Sequence, residues 1–318
     1  MKIGVKREID QLNSLDLVSD VFSWSSLPDG GNFAALHIIS PTAAAIRIAI
    51  RVEELPAQAE LRFYEAGNEI DPNKSLVVTG KQILNLLNLN RNAEPDNPES
   101  GIYFSPTLEG DAVGLEIYLP PGLSTEGVKI SIPYLSHIGV SPFVSRSSLP
   151  SLQGYGDSDT CQNDATCYSS TYPNSCRASA TAKMIFSESG SSYICTGTML
   201  NDRVTTSWIP YFISANHCIS TQVVASTLET LWFYQSSSCN GSSLDPSFQR
   251  KYGGARLLWT GETTYTPLDS NKDTSFFRLN DSAPCCINFA GWNAGPVSLG
   301  AKTGVHHPTT SYILNLRI

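Results

Sequence analysis

The sequence has little charge and no long apolar run. Only 16% of its 318 residues are charged, and acidic residues outnumber basic ones by 29 to 21, which gives a formal net charge of −8. An acidic surface of this kind lacks the clustered lysines and arginines that hold nucleic acid or anionic lipid. Runs of about 18 or more apolar residues, which a membrane-spanning helix needs, are also absent. We therefore expect neither nucleic acid nor a membrane as a partner.

Cysteine is absent from the first 160 residues, although eight cysteines follow. No C-x-x-C pair and no zinc-finger spacing of Cys and His occurs, so disulfides fit these cysteines better than a metal. Disulfides persist in oxidising compartments, which predicts a secreted protein. Residues 1–20 nevertheless lack the apolar stretch of about 7–15 residues that a signal peptide contains. The cysteines are Cys161, Cys167, Cys176, Cys195, Cys218, Cys239, Cys285 and Cys286.

Two β-rich regions are indicated on either side of a linker. With 41% hydrophobic residues, the chain can build the cores of one large or two medium domains. Residues 32–65 alternate apolar and polar side chains, as half-buried strands do, while residues 80–90 have the spacing of a short helix. Residues 141–160 are rich in Ser, Pro and Gly, which is typical of a linker. We therefore predict an all-β protein with domains at 1–150 and 151–318.

Short strand patterns dominate the second domain as well. They are separated by turn residues and show almost no helical periodicity, which favours a barrel or a sandwich. The segments with this pattern are AKMIF (182–186), SYICTGTML (192–200), PYFISA (210–215), TLWFYQ (230–235), GARLLWTG (254–261), TSFFRLN (274–280) and GVHHP (304–308).

The segment SANHC (214–218) raises a question of chemistry. A histidine followed directly by a cysteine is compatible with a metal-ligand pair, a packed core residue or a general base. In chain order, CTGTML (195–200) precedes it and DTSFFRLN (273–280) follows it. A general base can be an imidazole, whose ordinary pKa near ~6.5 lets it accept a proton at neutral pH, and a carboxylate beside it can fix its tautomer. Asp273 closes a turn-like DSNKD segment, so a turn role is its alternative.

The three segments, in this order, resemble the trypsin-like serine endopeptidases and, more closely, their bacterial lysyl-endopeptidase-type branch. In that family a C-x-G-[ST] strand precedes an [ST]-A-x-H-C segment, and D-[FTI]-x-[LF] carries the acid. The resemblance places His217 on the general base and Asp273 on the acid that orients it. It covers residues 160–318 well and, more loosely, relates the first domain to the pro-regions of the same exported enzymes.

The resemblance also implies a fold and a reaction. The implied fold is a β-rich pro-region followed by a trypsin-like β-barrel domain whose second barrel is incomplete. The implied reaction is peptide-bond hydrolysis through an acyl-enzyme on protein or peptide substrates, without a metal or an organic cofactor. The branch suggests a preference for lysine at the cleaved bond. By resemblance, Cys195 pairs with Cys218 and Cys167 with Cys239. Cys161 is expected to pair with a cysteine in a carboxy-terminal part of the protein that lies beyond residue 318.

The nucleophilic serine of the family pattern is not found. It should lie downstream of the acid in a G-[DS]-S-G turn whose backbone N–H groups form the oxyanion hole. No such motif follows Asp273, SESGSS (187–192) precedes the histidine, and Ser311 has no glycine beside it. We therefore expect a truncated and inactive fragment of a secreted serine endopeptidase precursor. One of the adjacent Cys285 and Cys286 is a candidate partner for Cys176.

Two alternatives remain at this point. A catalytically inactive secreted binding or adhesion protein on the same scaffold is the main one, since a fold does not fix a function. A carbohydrate-binding pair of β-sandwiches is weaker, because it leaves the spacing of His217 and Asp273 as coincidence.

His306 and His307 are adjacent on a predicted strand, where neighbouring side chains point to opposite faces, so packing is favoured over a metal pair. No sequence feature indicates an oligomeric state.

Overall fold

A computed structural model gives the fold, and it confirms an all-β protein. The chain forms two compact units. The N-terminal unit contains residues 2–141 and 187–192, and the C-terminal unit contains Met1, 142–186 and 193–318. Within these bounds, the residues that the structure describes are 1–14, 21–66, 75–143, 163–168, 178–204, 206–241, 243–261, 273–293, 295–296, 303–308 and 313–317. The predicted linker lies outside the described residues from 144 onward.

Two antiparallel sheets form from the described residues of the N-terminal unit. The strands are β1 (Gly4–Glu8), β2 (Ser25–Ser26), β3 (Asn32–Ile39), β4 (Ala45–Glu54), β5 (Glu60–Glu65), β6 (Leu76–Thr79), β7 (Ile102–Phe104), β8 (Leu108–Glu109), β9 (Ala112–Leu119) and β10 (Lys129–Ile138). One sheet has the order β1-β10-β4-β7, with β8 also paired to β4, and the other has the order β2-β3-β9-β5-β6. Phe63 of β5 and Tyr103 of β7 bring their ring centroids within 6.3 Å, so the two sheets share a core.

A single longer helix, α1 (Gly80–Ala93), connects the two sheets in the described part of this unit. Its start is set by a capping box: the Gln82 N–H donates to Thr79 Oγ1, and the Thr79 N–H donates to Gln82 Oε1 at 2.9 Å. The buried face follows the helical repeat that the sequence predicted and consists of Ile83, Leu86, Leu87 and Asn90.

Short 3₁₀ turns occur in both units, at Asp10–Leu12, Thr125–Gly127 and Ala165–Tyr168. Among the described residues, no helix has the length and apolar character to cross a bilayer.

The C-terminal unit is built on one large antiparallel sheet. Its strands are β11 (Asn163–Asp164), β12 (Thr181–Glu188), β13 (Ser191–Leu200), β14 (Tyr211–Ser214), β15 (Glu229–Trp232), β16 (Gln249–Lys251), β17 (Ala255–Thr260), β18 (Ser275–Leu279), β19 (Thr303–His306) and β20 (Leu314–Arg317), and a short helix, α2 (Gln222–Ser226), precedes β15. The large sheet has the order β16-β15-β12-β13-β14-β18-β17, and a smaller one has the order β11-β20-β19.

The large sheet curls around its own apolar face. Phe212 of β14 and Trp232 of β15 are separated in the sheet by β12 and β13, yet their ring centroids lie 5.9 Å apart. Strands three positions apart in a flat sheet lie about 14 Å apart, so the contact requires curvature. Met184, Met199 and Phe277 are fully buried beside this pair. The result is a half-barrel, which is consistent with an all-β trypsin-like fold.

A tight turn joins β12 to β13. Ser189 and Gly190 both have positive φ, 48° and 76°, which is the type I′ geometry that matches the twist of a two-residue hairpin. The SESGSS segment (187–192) is therefore a hairpin turn between two strands.

Two disulfides join described cysteines, and both match the pairs predicted from the family resemblance. Cys195 and Cys218 have Cα atoms 6.4 Å apart, and Cys167 and Cys239 have theirs 4.3 Å apart. Each bond restricts the unfolded chain by closing a loop, and this should raise the free energy of unfolding by about 3 kcal/mol for the first bond and about 4 kcal/mol for the second. The predicted roles of Cys161 and Cys176 fall outside the described residues.

Candidate active site

The pairing of β14 with β18 brings His217 and Asp273 to the same end of the large sheet. In this antiparallel pair, Ser214 lies opposite Ser275. His217 comes three residues after the end of β14, and Asp273 comes two residues before the start of β18. Antiparallel neighbours place the end of one strand beside the start of the next, so two residues that are 56 positions apart meet at one edge.

Both oxygens of the Asp273 carboxylate contact His217. Oδ2 lies 2.6 Å from the ring atom Nδ1, and Oδ1 accepts a 2.9 Å hydrogen bond from the backbone N–H of His217. An ionised carboxylate can only accept hydrogen bonds, so Nδ1 carries the proton and the lone pair of the neutral ring is on Nε2.

The pKa of the Asp273 carboxyl is lowered below its ordinary value. The largest cause is the backbone hydrogen bond from His217, and the side-chain hydrogen bond from the same residue adds to it, while partial burial acts in the opposite direction. Asp273 is therefore negatively charged at neutral pH and is placed to stabilise positive charge on the imidazole ring.

The imidazole of His217 is largely exposed to solvent. The side chain of His217 is 66% exposed, whereas that of Asp273 is 35% exposed. Among the described residues, none hydrogen-bonds Nε2. The ring is therefore held at one nitrogen by Asp273 and presents the other nitrogen to an incoming group, which is the arrangement a general base requires.

Polar contacts behind the pair hold its two supporting segments together. The buried Asn216 donates its side-chain N–H to Thr260 Oγ1, and Thr260 Oγ1 lies 3.1 Å from Ser275 Oγ. Ser275, in turn, donates a 2.6 Å hydrogen bond to the carbonyl of Ile219. These contacts join the turn that carries His217 to the strand that follows Asp273. The sequence analysis did not identify them.

The disulfide beside the pair restrains the same turn and also decides a question of metal binding. Cys195 lies on β13, so its bond to Cys218 ties the residue next to His217 to a central strand. The two sulfurs and the imidazole lie within 4.8 Å of one another, as the ligands of a metal would. Both sulfurs are bonded to each other, so neither is available as a thiolate ligand.

The remaining histidines have other contacts. His307 is buried and packs its ring against Tyr234, with the ring centroids 6.0 Å apart, while its backbone N–H donates to Thr196 Oγ1 at 2.9 Å. His306 is the last residue of β19. In the N-terminal unit, His37 lies 3.2 Å from the Tyr64 hydroxyl, and His137 lies 2.9 Å from Ser40 Oγ. None of these contacts resembles the His217 site.

The lowered pKa of Asp273 predicts a pH-dependent contribution to stability. Because the folded pKa lies below the unfolded value of about 3.9, the contribution is fully present above the unfolded pKa and disappears as the pH falls through the folded pKa. We expect Asp273→Asn to lower the free energy of unfolding more at about pH 6 than at about pH 3. Urea unfolding of both proteins at the two pH values measures this, and an equal difference at both would contradict it.

A matched variant separates the two contacts to the carboxylate. His217→Ala removes the imidazole but keeps the backbone N–H, which is the largest cause of the lowered pKa. We expect the pKa of the Asp273 carboxyl to stay below its ordinary value in this variant, as measured by the ¹³C chemical shift of the carboxyl during a pH titration. A return of the pKa to its ordinary value would contradict the role of the backbone N–H.

A curled antiparallel sheet that carries a disulfide-restrained His–Asp pair at one edge defines a chain of the trypsin-like serine endopeptidase class. The family model "Lysyl endopeptidase N-terminal domain" matches residues 1–139, and "Lysyl endopeptidase, C-terminal domain" matches residues 155–312. The chain belongs to the lysyl endopeptidase family.

Two curated relatives illustrate the similarity. A lysyl endopeptidase of Pseudomonas aeruginosa is 34% identical over 319 aligned residues, which cover 96% of this chain and 61% of the relative. Secreted RxLR effector protein 73 of Plasmopara viticola is 29% identical over 149 residues, which cover 45% of this chain and 35% of that protein. The chain thus spans about 61% of the length of the first relative. No solved structure matches it significantly.

Proposed function

We propose that residues 1–318 are the pro-region and the first part of the catalytic domain of a secreted serine endopeptidase. The observation that carries the proposal is the contact of the Asp273 carboxylate with Nδ1 of a solvent-open His217. In this proposal the boundary between pro-region and catalytic domain lies near residue 150. Secretion is supported by the two disulfides among the described cysteines, because such bonds persist in oxidising compartments.

The proposed reaction uses His217 as the general base. Nε2 accepts the proton of a serine hydroxyl as its oxygen attacks the peptide carbonyl, and the resulting imidazolium donates that proton to the leaving amine. Asp273 holds Nδ1–H in place and stabilises the imidazolium. Water then hydrolyses the acyl-enzyme by the same proton transfers.

The nucleophilic serine and the oxyanion donors come, in this proposal, from sequence outside residues 1–318. Residues 274–318 contain no glycine-flanked serine of the G-[DS]-S-G type, and the P. aeruginosa relative is longer than this chain. The SESGSS segment does not substitute for it, because it forms the turn between β12 and β13 and precedes His217 in the chain.

Lysine is the proposed residue on the carbonyl side of the cleaved bond. The support is family membership and the name of the P. aeruginosa relative, lysyl endopeptidase. The test uses the complete protein that contains this chain and peptides that differ only in having Lys, Arg or Gln at the cleaved position. We expect cleavage after Lys, and His217→Ala should abolish it. Equal cleavage after Lys and Gln would contradict the specificity, and activity that survives in His217→Ala would contradict the site.

One observation favours a second candidate, a secreted binding protein that has kept the protease scaffold without catalysis. Part of the chain is similar to a protein whose name describes a secreted effector. The two candidates differ in the complete protein: the protease reacts with a serine-directed phosphonate, whereas the binding protein stays folded and does not react.

A further inference from the structure

The turn that follows β18 contains two adjacent exposed cysteines. Cys285 and Cys286 have their Sγ atoms 2.6 Å apart. This separation is shorter than an ordinary contact between non-bonded heavy atoms, about 3.5–4.0 Å for carbons, and longer than a disulfide bond of about 2.04 Å. The two sulfurs are therefore already within reach of each other.

The backbone of the turn is what brings the sulfurs together. Adjacent side chains in an extended strand point to opposite faces, so their sulfurs would be far apart. Cys286 instead has a φ of 67°, in the left-handed region that non-glycine residues seldom adopt. This conformation ends the alternation and places both side chains on the same side of the turn.

Hydrogen bonds fix the turn on both sides. The side-chain amide of Gln249, on β16, accepts from the Cys285 N–H at 3.1 Å and donates to the Cys285 carbonyl at 3.0 Å. Further along, the side chain of Asn288 donates to Ser179 Oγ at 2.6 Å. The closeness of the sulfurs is thus a property of an anchored segment of the C-terminal unit.

We propose that Cys285 and Cys286 form a reversible vicinal disulfide, which makes this turn a redox modification site. Among the described cysteines, these two alone are outside the Cys167–Cys239 and Cys195–Cys218 bonds. The inference is independent of the proposed protease function, because it uses neither His217 nor Asp273.

The chemistry is thiol–disulfide exchange with a small-molecule disulfide such as oxidised glutathione. One cysteine thiolate attacks a glutathione sulfur, which forms a mixed disulfide and releases one glutathione thiol. The thiolate of the neighbouring cysteine then attacks the Sγ atom of the first cysteine, which closes the ring and releases the second glutathione as a thiol. Two electrons pass from the cysteine pair to the glutathione disulfide, and the two protons are carried by the released thiols. Excess thiol reverses both steps.

The bond should be easier to reduce than the other disulfides. Consecutive Cα atoms lie about 3.8 Å apart, below the usual range of about 4.4–6.8 Å for bridged cysteines, so ring closure stores strain. Strained and exposed disulfides are the labile and regulatory ones. Both cysteines are exposed, so thiols and small disulfides can reach them.

Mass spectrometry tests the proposal on one peptide. Trypsin releases residues 279–302, which contain Cys285 and Cys286 and no other cysteine. The protein is treated with oxidised glutathione, alkylated under denaturing conditions and digested without reduction. We expect a linear peptide that lacks alkyl groups and is lighter than the dithiol form by two hydrogen atoms. Two alkylated cysteines, a lasting glutathione adduct, or a cross-link to the peptide 147–177 that holds Cys161 and Cys176 would each overturn the proposal.

A matched variant and a titration complete the test. Cys286→Ser removes the second thiol, so Cys285 should keep a single glutathione adduct. In the unchanged protein, the ring should open at a thiol concentration at least about tenfold lower than the Cys195–Cys218 bond requires. Reduction of both bonds at the same thiol concentration would contradict the strained vicinal ring.

Discussion

Purified residues 1–318 should hydrolyse peptide and ester substrates no faster than buffer does. The His217–Asp273 pair can accept and return a proton, but it has nothing to activate, because no G-[DS]-S-G turn follows Asp273 in the sequence. Loss of the nucleophilic serine from a Ser-His-Asp triad lowers kcat by about 10⁶-fold, and the oxyanion donors of the serine turn are lost with it. The folded chain should therefore not turn over substrate.

The measurement is hydrolysis of a lysine thioester, together with intact-mass detection of a serine-directed phosphonate. The complete protein serves as the positive control and should show both turnover and one bound phosphonate. Stoichiometric labelling of a serine within residues 1–318 would contradict this account, since it would reveal a nucleophile that the family pattern does not place there.

Local sequence patterns predicted many of the strands, including β3 to β5 and β12 to β15, and the longer helix. The alternation of β5 and the stripe of α1 from Ile83 to Asn90 are read directly from residue spacing, because each of these elements buries one face. The short helix α2 was missed. Its five residues are too few for a helical period, and its only sequence signal is the capping residue Thr221, which accepts from the Val224 N–H at 3.3 Å.

The candidate site could also be predicted only in part, because its motifs are local in the sequence and its supporting contacts are not. The His217 and Asp273 motifs could be recognised in the sequence, but the contacts of Thr260 with Asn216 and Ser275 could not. They depend on how β17 pairs with β18, and that register shifts between Leu257 and Trp259. The closeness of Cys285 and Cys286 depends on a positive φ, which cysteine does not signal.

Asp273→Asn in the complete protein should lower kcat by about 10⁴-fold without unfolding it. Asparagine keeps the size of aspartate and an oxygen that can accept from the His217 backbone N–H. It has no negative charge to stabilise the imidazolium, and its amide can favour the wrong tautomer of the ring. The expected loss is therefore in the proton transfer, while the protein stays folded.

Asp202→Asn is the matched control. Asp202 accepts a 2.8 Å hydrogen bond from the Val204 N–H, which asparagine can also accept, and it lies outside the proposed machinery. Both variants make the same chemical change on the same unit. A difference between them therefore reports the position of Asp273 beside His217.

The most direct test is the value of kcat for the complete protein, measured with a saturating lysine peptide for the unchanged protein and for these two variants. The account predicts a loss of about 10⁴-fold for Asp273→Asn and a change within about twofold for Asp202→Asn. If the folded Asp273→Asn protein kept more than about a tenth of the original kcat, the His217–Asp273 pair would not be the acid–base pair of the enzyme.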